Sequence, residues 1–118
     1  MIRSLVRSVI HDARVTRSGG ASLRVDAFIL RTAEMLPFEE VEIVNKTSGT
    51  HVRTWIEAAE EGSAAIEVPS GARAGDVITI VCYAQAHEGQ TLDHKPRVVR
   101  LDDRNRVVSA ELGSGLSL

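Results

Sequence analysis

Apolar positions in this chain alternate with polar ones or gather in short runs, and β-branched residues dominate them. Glycine, proline and small polar residues separate the runs. This is the pattern of strands and turns rather than of long amphipathic helices. Residues 2–16 read as one long strand, with Ser8-Val9-Ile10-His11-Asp12-Ala13-Arg14-Val15-Thr16 as its β-branched interior. Arg17-Ser18-Gly19-Gly20-Ala21-Ser22 follows as a turn whose glycines permit unusual backbone angles. Residues 23–25 form a short strand. Asp26 is placed to cap a helix running from Ala27 to about Met35, with Phe28, Ile29, Leu30 and Ala33 on its buried side and Pro37 as its stop.

The remainder reads as strands. Residues 40–46 and 51–58 flank a hairpin turn, Thr47-Ser48-Gly49-Thr50. Residues 64–68 form a strand closed by Pro69-Ser70-Gly71. Residues 76–84 are the strongest strand, apolar enough to be buried on both faces. Residues 97–101 and 106–110 flank the turn Asp102-Asp103-Arg104-Asn105. One domain over residues 1–112 and a flexible tail over 113–118 are expected. A weak internal echo joins Leu36-Pro37-Phe38-Glu39-Glu40-Val41 to Ala72-Arg73-Ala74-Gly75-Asp76-Val77, each leading into a strand. A barrel with pseudo-twofold symmetry would produce it. The fold class read from the pattern is a small, mainly β barrel with one or two short helices.

Composition narrows the functions. The 118 residues carry a formal net charge of −2, too balanced for general binding to nucleic acid or to an anionic membrane. Aromatic residues make up 3%, so Val, Ile, Leu and Ala must build the core and self-association would help it. The only cysteine, Cys82, excludes an intrachain disulfide and reads as a small buried hydrophobe. Neither a transmembrane run nor an apolar signal core is evident, so a cytoplasmic location is expected. His87, Asp93 and His94 share a polar loop without metal-site spacing, and no metal is expected. Gly19-Gly20 lacks the lysine and spacing of a phosphate loop.

Several segments then resemble a known family. Met1-Ile2-Arg3, Ile10-His11-Asp12-Ala13-Arg14-Val15-Thr16, Ala21-Ser22 and Asp26-Ala27-Phe28-Ile29-Leu30 are similar to the opening of bacterial aspartate 1-decarboxylases. The likeness continues through Val41-Glu42-Ile43-Val44-Asn45, Thr47-Ser48-Gly49, Ala58-Ala59-Glu60-Glu61-Gly62-Ser63 and Gly75-Asp76-Val77-Ile78-Thr79-Ile80. The resemblance implies a double-psi β-barrel, a homotetramer and a proenzyme that cuts itself before an internal serine. That serine becomes a pyruvoyl group, the electron sink for decarboxylating aspartate.

On this resemblance Ser22 occupies the place of the processed serine, with cleavage between Ala21 and Ser22, and Thr54 that of the threonine assisting ester formation. Self-cleavage needs a hydroxyl, a small preceding residue, a distorted turn and an oxyanion donor. The departures are as informative. Ala21 stands where the family has glycine; its methyl could slow or stop cleavage by restricting a glycine-like backbone, but need not, since the reaction demands only a small residue there. Val9 replaces a lysine. His51 replaces the arginine that binds the substrate carboxylate, and is a candidate carboxylate ligand or acid–base group. Trp55 replaces the tyrosine that donates a proton, and its indole N–H is no useful acid. Pro69-Ser70-Gly71-Ala72 replaces an Asn-Gly-Ala-Ala loop.

The candidate catalytic set is therefore Ser22, Thr54 and His51. Trp55, Arg53, His11, Ser70, Gly71 and Ala72 are candidates for the pocket, although His11 suits a structural role as well. The favoured reading is a divergent pyruvoyl-dependent lyase acting on an amino acid or related amine, with altered substrate. The alternative is a paralogue that never cleaves and uses the same barrel for binding, assembly or acid–base chemistry.

Overall fold

The computed structural model describes residues 2–87 and 94–113. Its elements are β1 (Ile2–Arg14), β2 (Arg17–Ser18), β3 (Leu23–Asp26), α1 (Ala27–Ala33), β4 (Glu40–Asn45), β5 (His51–Ala59), β6 (Ile66–Val68), β7 (Val77–His87), β8 (Arg97–Leu101) and β9 (Val107–Leu112). The mainly β fold expected from the pattern is present, with a single short helix among the described residues. The strands lie in the order β2-β6-β3-β5-β4-β7-β1-β8-β9.

Parallel and antiparallel pairings alternate in a way a simple meander does not allow. β1 runs antiparallel to β7 and parallel to β8, while β3 runs parallel to β5 and antiparallel to β6. Just beyond β1 the backbone N–H of Thr16 donates to the Ile66 carbonyl of β6 at 2.9 Å. That bond links strands far apart in the sheet order and curls the sheet back on itself, as a barrel requires. The two segments of the sequence echo lead into β4 and β7, which pair with Val41 opposite Cys82.

The core is aliphatic, as the shortage of aromatics demands. Ile10, Leu23, Val25, Ile29, Ile56, Ile66, Ile78 and Ile80 are all essentially inaccessible. β7 is buried from Ile78 to Cys82, which accounts for its continuous apolar run. Buried polar groups tie the connections down. The carboxylate of Asp26 accepts from the backbone N–H groups of Phe28, Gly62 and Ala64, capping α1 and anchoring the turn after β5. The Asn105 amide, at φ 58°, accepts from the Arg14 N–H and donates to the Arg14 and Ala64 carbonyls.

Three local expectations need correction. Phe28 is 49% exposed rather than on the buried side of α1. α1 ends at Ala33, where Glu34 turns left-handed at φ 58° and its N–H closes onto Leu30 and Arg31, so Pro37 is not the stop. Within the expected turn, Arg17 and Ser18 form a two-residue strand against β6. Residues 114–118 of the expected tail lie outside the described residues. Gly113 is tied down, its N–H donating to the Pro96 carbonyl at 2.7 Å.

Candidate functional site

The segment before β3 is held on both sides. Upstream, β2 pairs with β6, and the Gly19 N–H donates to the Val68 carbonyl at 2.9 Å. The Ser70 N–H donates to the Gly20 carbonyl at 3.4 Å, which brings the 69–72 loop against this segment. Downstream, the parallel register of β3 and β5 places Leu23 opposite Ile56 and Arg24 opposite Glu57. The chain turns sharply between these anchors, and Gly19 and Gly20 take φ of 135° and 83°. Only glycine adopts such angles freely. Ala21 is not among the residues with positive φ, so its methyl meets no backbone penalty of that kind.

Two side chains of β5 converge on the Ala21–Ser22 bond. The buried Thr54 hydroxyl donates to the Ala21 carbonyl oxygen at 2.6 Å. The Ser22 hydroxyl donates to a carboxylate oxygen of Glu57. One contact polarises the carbonyl, and the other orients the neighbouring hydroxyl. These residues fit a serine-derived prosthetic group: a hydroxyl, a small acyl residue before it and a donor already on the carbonyl oxygen. A cavity of about 350 Å³ opens beside Ser22, lined by Arg17, Gly19, Gly20, Arg24 and Glu67. Glu67 bridges the two guanidinium groups, at 3.3 Å from Arg17 and 2.9 Å from Arg24.

The other candidates are spread over different parts of the surface. Ser70, Gly71 and Ala72 line a second cavity, about 160 Å³, with Thr50 and Val52. His51 and Arg53 are both exposed on β5. The His51 ring lies 3.7 Å from Glu42, and Glu42 also accepts from the Tyr83 hydroxyl at 2.9 Å. Burial, then the bond to Glu42, pushes the Tyr83 phenol above its ordinary value. Arg53 pairs with Glu40 at 3.1 Å and lies over the Tyr83 ring. Trp55 is 42% exposed and sits opposite Glu40 on β4.

His11 is 2% exposed, and neither ring nitrogen has a hydrogen-bond partner among the described residues. Burial, reinforced by Arg100 and Lys46, holds the ring below its ordinary value and favours the neutral form. Cys82 is fully buried yet not in purely apolar company. Its sulfur lies 3.0 Å from an Arg7 nitrogen and 3.8 Å from a Glu39 oxygen. His94 contacts the Val6 carbonyl, and Asp93 lies outside the described residues.

Sequence reasoning passed over Glu57. Its signal was a lone acid in the β-like run Trp55-Ile56-Glu57-Ala58, whose significance depends on the pairing of β3 with β5.

The chain is similar to known proteins along most of its length. The family model described as aspartate decarboxylase matches residues 1–108. The aspartate 1-decarboxylase of Staphylococcus epidermidis (strain ATCC 35984) is 39% identical over 115 residues, covering 92% of this chain and 90% of the relative. Those of Staphylococcus carnosus (strain TM300) and Staphylococcus aureus (strain JH9) are each 36% identical, covering 92% of this chain and 91% of the relative.

Proposed function

This chain belongs to the aspartate decarboxylase family, and on that premise we propose that it cuts itself between Ala21 and Ser22 and then decarboxylates an amino acid or a related amine. The observation that carries the reading is the 2.6 Å hydrogen bond from Thr54 to the Ala21 carbonyl oxygen. A donor already in place stabilises the negative charge that develops there when Ser22 attacks. The Gly19-Gly20 turn holds the reacting segment in a conformation that an ordinary strand would not adopt. The products would be residues 1–21 and residues 22–118, the latter starting with the pyruvoyl group.

That group would supply the electron sink for the charge left as CO₂ departs. The chain's own residues bind and orient. The cavity beside Ser22 suits a small amino acid. Arg17 and Arg24, which share the carboxylate of Glu67, are the cations lining this cavity and would receive a substrate carboxylate. His51 and Arg53 are already tied to Glu42 and Glu40. With neither of them free as the carboxylate holder, the substrate differs from aspartate in the placement of its acid group. Trp55 contributes a wall and not a proton.

The working form is a cytoplasmic homotetramer of single-domain subunits over residues 1–112. Exposed Leu36, Phe38 and Trp55 give it apolar surface to bury. The test is CO₂ release by the purified protein from a panel of amino acids, with aspartate as the control expected to be poor. Release that borohydride abolishes supports the reading. No release from any of them, by protein that has cut itself, contradicts the decarboxylase assignment.

A further inference from the structure

We infer that Glu57 is the general base of self-cleavage, taking the Ser22 proton as the hydroxyl attacks the Ala21 carbonyl. The inference rests on the reading above that the chain cuts itself. A serine hydroxyl is a weak nucleophile at its own pKa, and a carboxylate within hydrogen-bond reach is a standard way to activate it. Ser22 and Glu57 stand in that relation, with the hydroxyl as donor. A hydroxyl has one hydrogen. With that hydrogen on Glu57, the oxygen lone pairs are left for the carbonyl carbon.

The fold makes the pairing specific. Arg24 lies directly opposite Glu57 across the parallel pair β3–β5. Ser22 lies just before β3 begins, and its hydroxyl bond to Glu57 places it on the face that Arg24 and Glu57 share. Thr54, three residues before Glu57, is on the opposite, buried face and reaches the Ala21 carbonyl from there. The scissile peptide is therefore gripped from both faces of one strand, its carbonyl by a donor and its hydroxyl by an acceptor. Of the charged groups around Glu57, Arg24 stands opposite it on β3, and Glu67 on β6 bonds Arg24 at 2.9 Å. On the other side Glu40 of β4 stands opposite Trp55, two residues before Glu57, and pairs with Arg53.

The step balances without an outside reagent. The Ser22 proton passes to Glu57 as the Ser22 oxygen bonds to the Ala21 carbonyl carbon. Negative charge on the former carbonyl oxygen is held by Thr54. The bond from Ala21 carbon to Ser22 nitrogen then breaks, and the nitrogen takes the proton back from Glu57. An ester links Ala21 to the Ser22 oxygen, Ser22 has a free amine, and Glu57 is again a carboxylate.

The experiment follows conversion of freshly translated full-length chain to residues 22–118 by mass spectrometry, for wild type, Glu57→Gln and Glu57→Ala, between pH 4 and 8. Gln keeps the shape and an acceptor but not the basicity. The expected result is cleavage slowed about 100-fold in both variants, with a loss of wild-type rate in acid that Glu57→Gln does not show. Glu57→Gln cutting within about threefold of wild type overturns the inference while leaving self-cleavage intact. A wild-type rate that is flat with pH overturns it too, and that measurement needs no variant to fold. Wild type that stays whole at every pH removes both this inference and the reading it rests on.

Discussion

Thr54 reaches from the buried face of β5 to donate its hydroxyl hydrogen to the carbonyl oxygen of Ala21, 2.6 Å away and across a gap of 33 residues in sequence. That bond aims the hydroxyl at the one carbonyl that Ser22 must attack. Thr54→Val keeps the shape of the side chain and removes the donor. Self-cleavage should slow by about 100-fold or more, the typical effect of deleting one oxyanion donor. Thr54→Ser should retain most of the rate. A time course of fragment appearance on a denaturing gel distinguishes these, and equal rates for Val and Ser variants would dismiss the donor role.

The turn before Ser22 separates a residue that needs glycine from one that does not. Gly20 has φ 83°, and no atom lies within 4 Å of where its Cβ would stand, so substitution meets backbone strain alone. Gly20→Ala should slow cleavage by about tenfold, reflecting strain of about 1–2 kcal/mol. Ala21 has no positive φ. Ala21→Gly should change the rate by less than about threefold, on the same scale of backbone penalty. Faster cleavage by more than that on restoring glycine would show that the methyl does obstruct the reaction.

Asp26 governs stability rather than chemistry. Its buried carboxylate accepts three backbone N–H groups, from Phe28, Gly62 and Ala64. Asp26→Ala leaves all three without that acceptor and should cost about 3 kcal/mol. The urea midpoint of unfolding measures it. A loss below about 1 kcal/mol would mean that water or local rearrangement replaces the carboxylate.

His11 should make the protein sensitive to acid. Burial first, then Arg100 and Lys46, depresses its pKa below the ordinary 6.5. As pH falls through that ordinary value, the unfolded chain takes up a proton that the folded chain still refuses. The unfolded state then binds more protons, so stability drops as pH drops, and the contribution is fully present only above the ordinary value. Denaturation midpoints at pH 7.5 and pH 5 should differ more for wild type than for His11→Leu. Equal differences would show that the ring is hydrated or charged in the folded protein.

The strands and the helix cap were legible because they depend on neighbours in sequence. Asp26 before Ala27-Phe28-Ile29-Leu30 is a local capping signal, and the 77–82 run carries its burial in its composition. What depended on distant pairing was not legible. The two residues Arg17 and Ser18 are a strand only because β6 lies beside them. Phe28 follows the helical period and is still exposed, because what covers a helix face is decided by packing, not by the period.

The site divides in the same way. Ser22 and Thr54 were identified through resemblance, and the structure brings them together. Glu57 gains its meaning only from the register that sets Arg24 opposite it. His51 and Arg53 share a strand face, as alternation requires, yet within one chain their partners are Glu42 and Glu40 rather than Ser22. Cys82 read as a plain hydrophobe because nothing local reveals that Arg7 and Glu39 meet its sulfur.

The central claim is that the chain cuts itself before Ser22, and intact-mass spectrometry of the purified protein, with and without borohydride, tests it most directly. The account predicts two species, residues 1–21 and residues 22–118, the larger lacking a free amine and gaining the mass of H₂ on reduction of its pyruvoyl group to lactoyl. A single chain of 118 residues that stays whole after prolonged warming, untouched by borohydride, would contradict it.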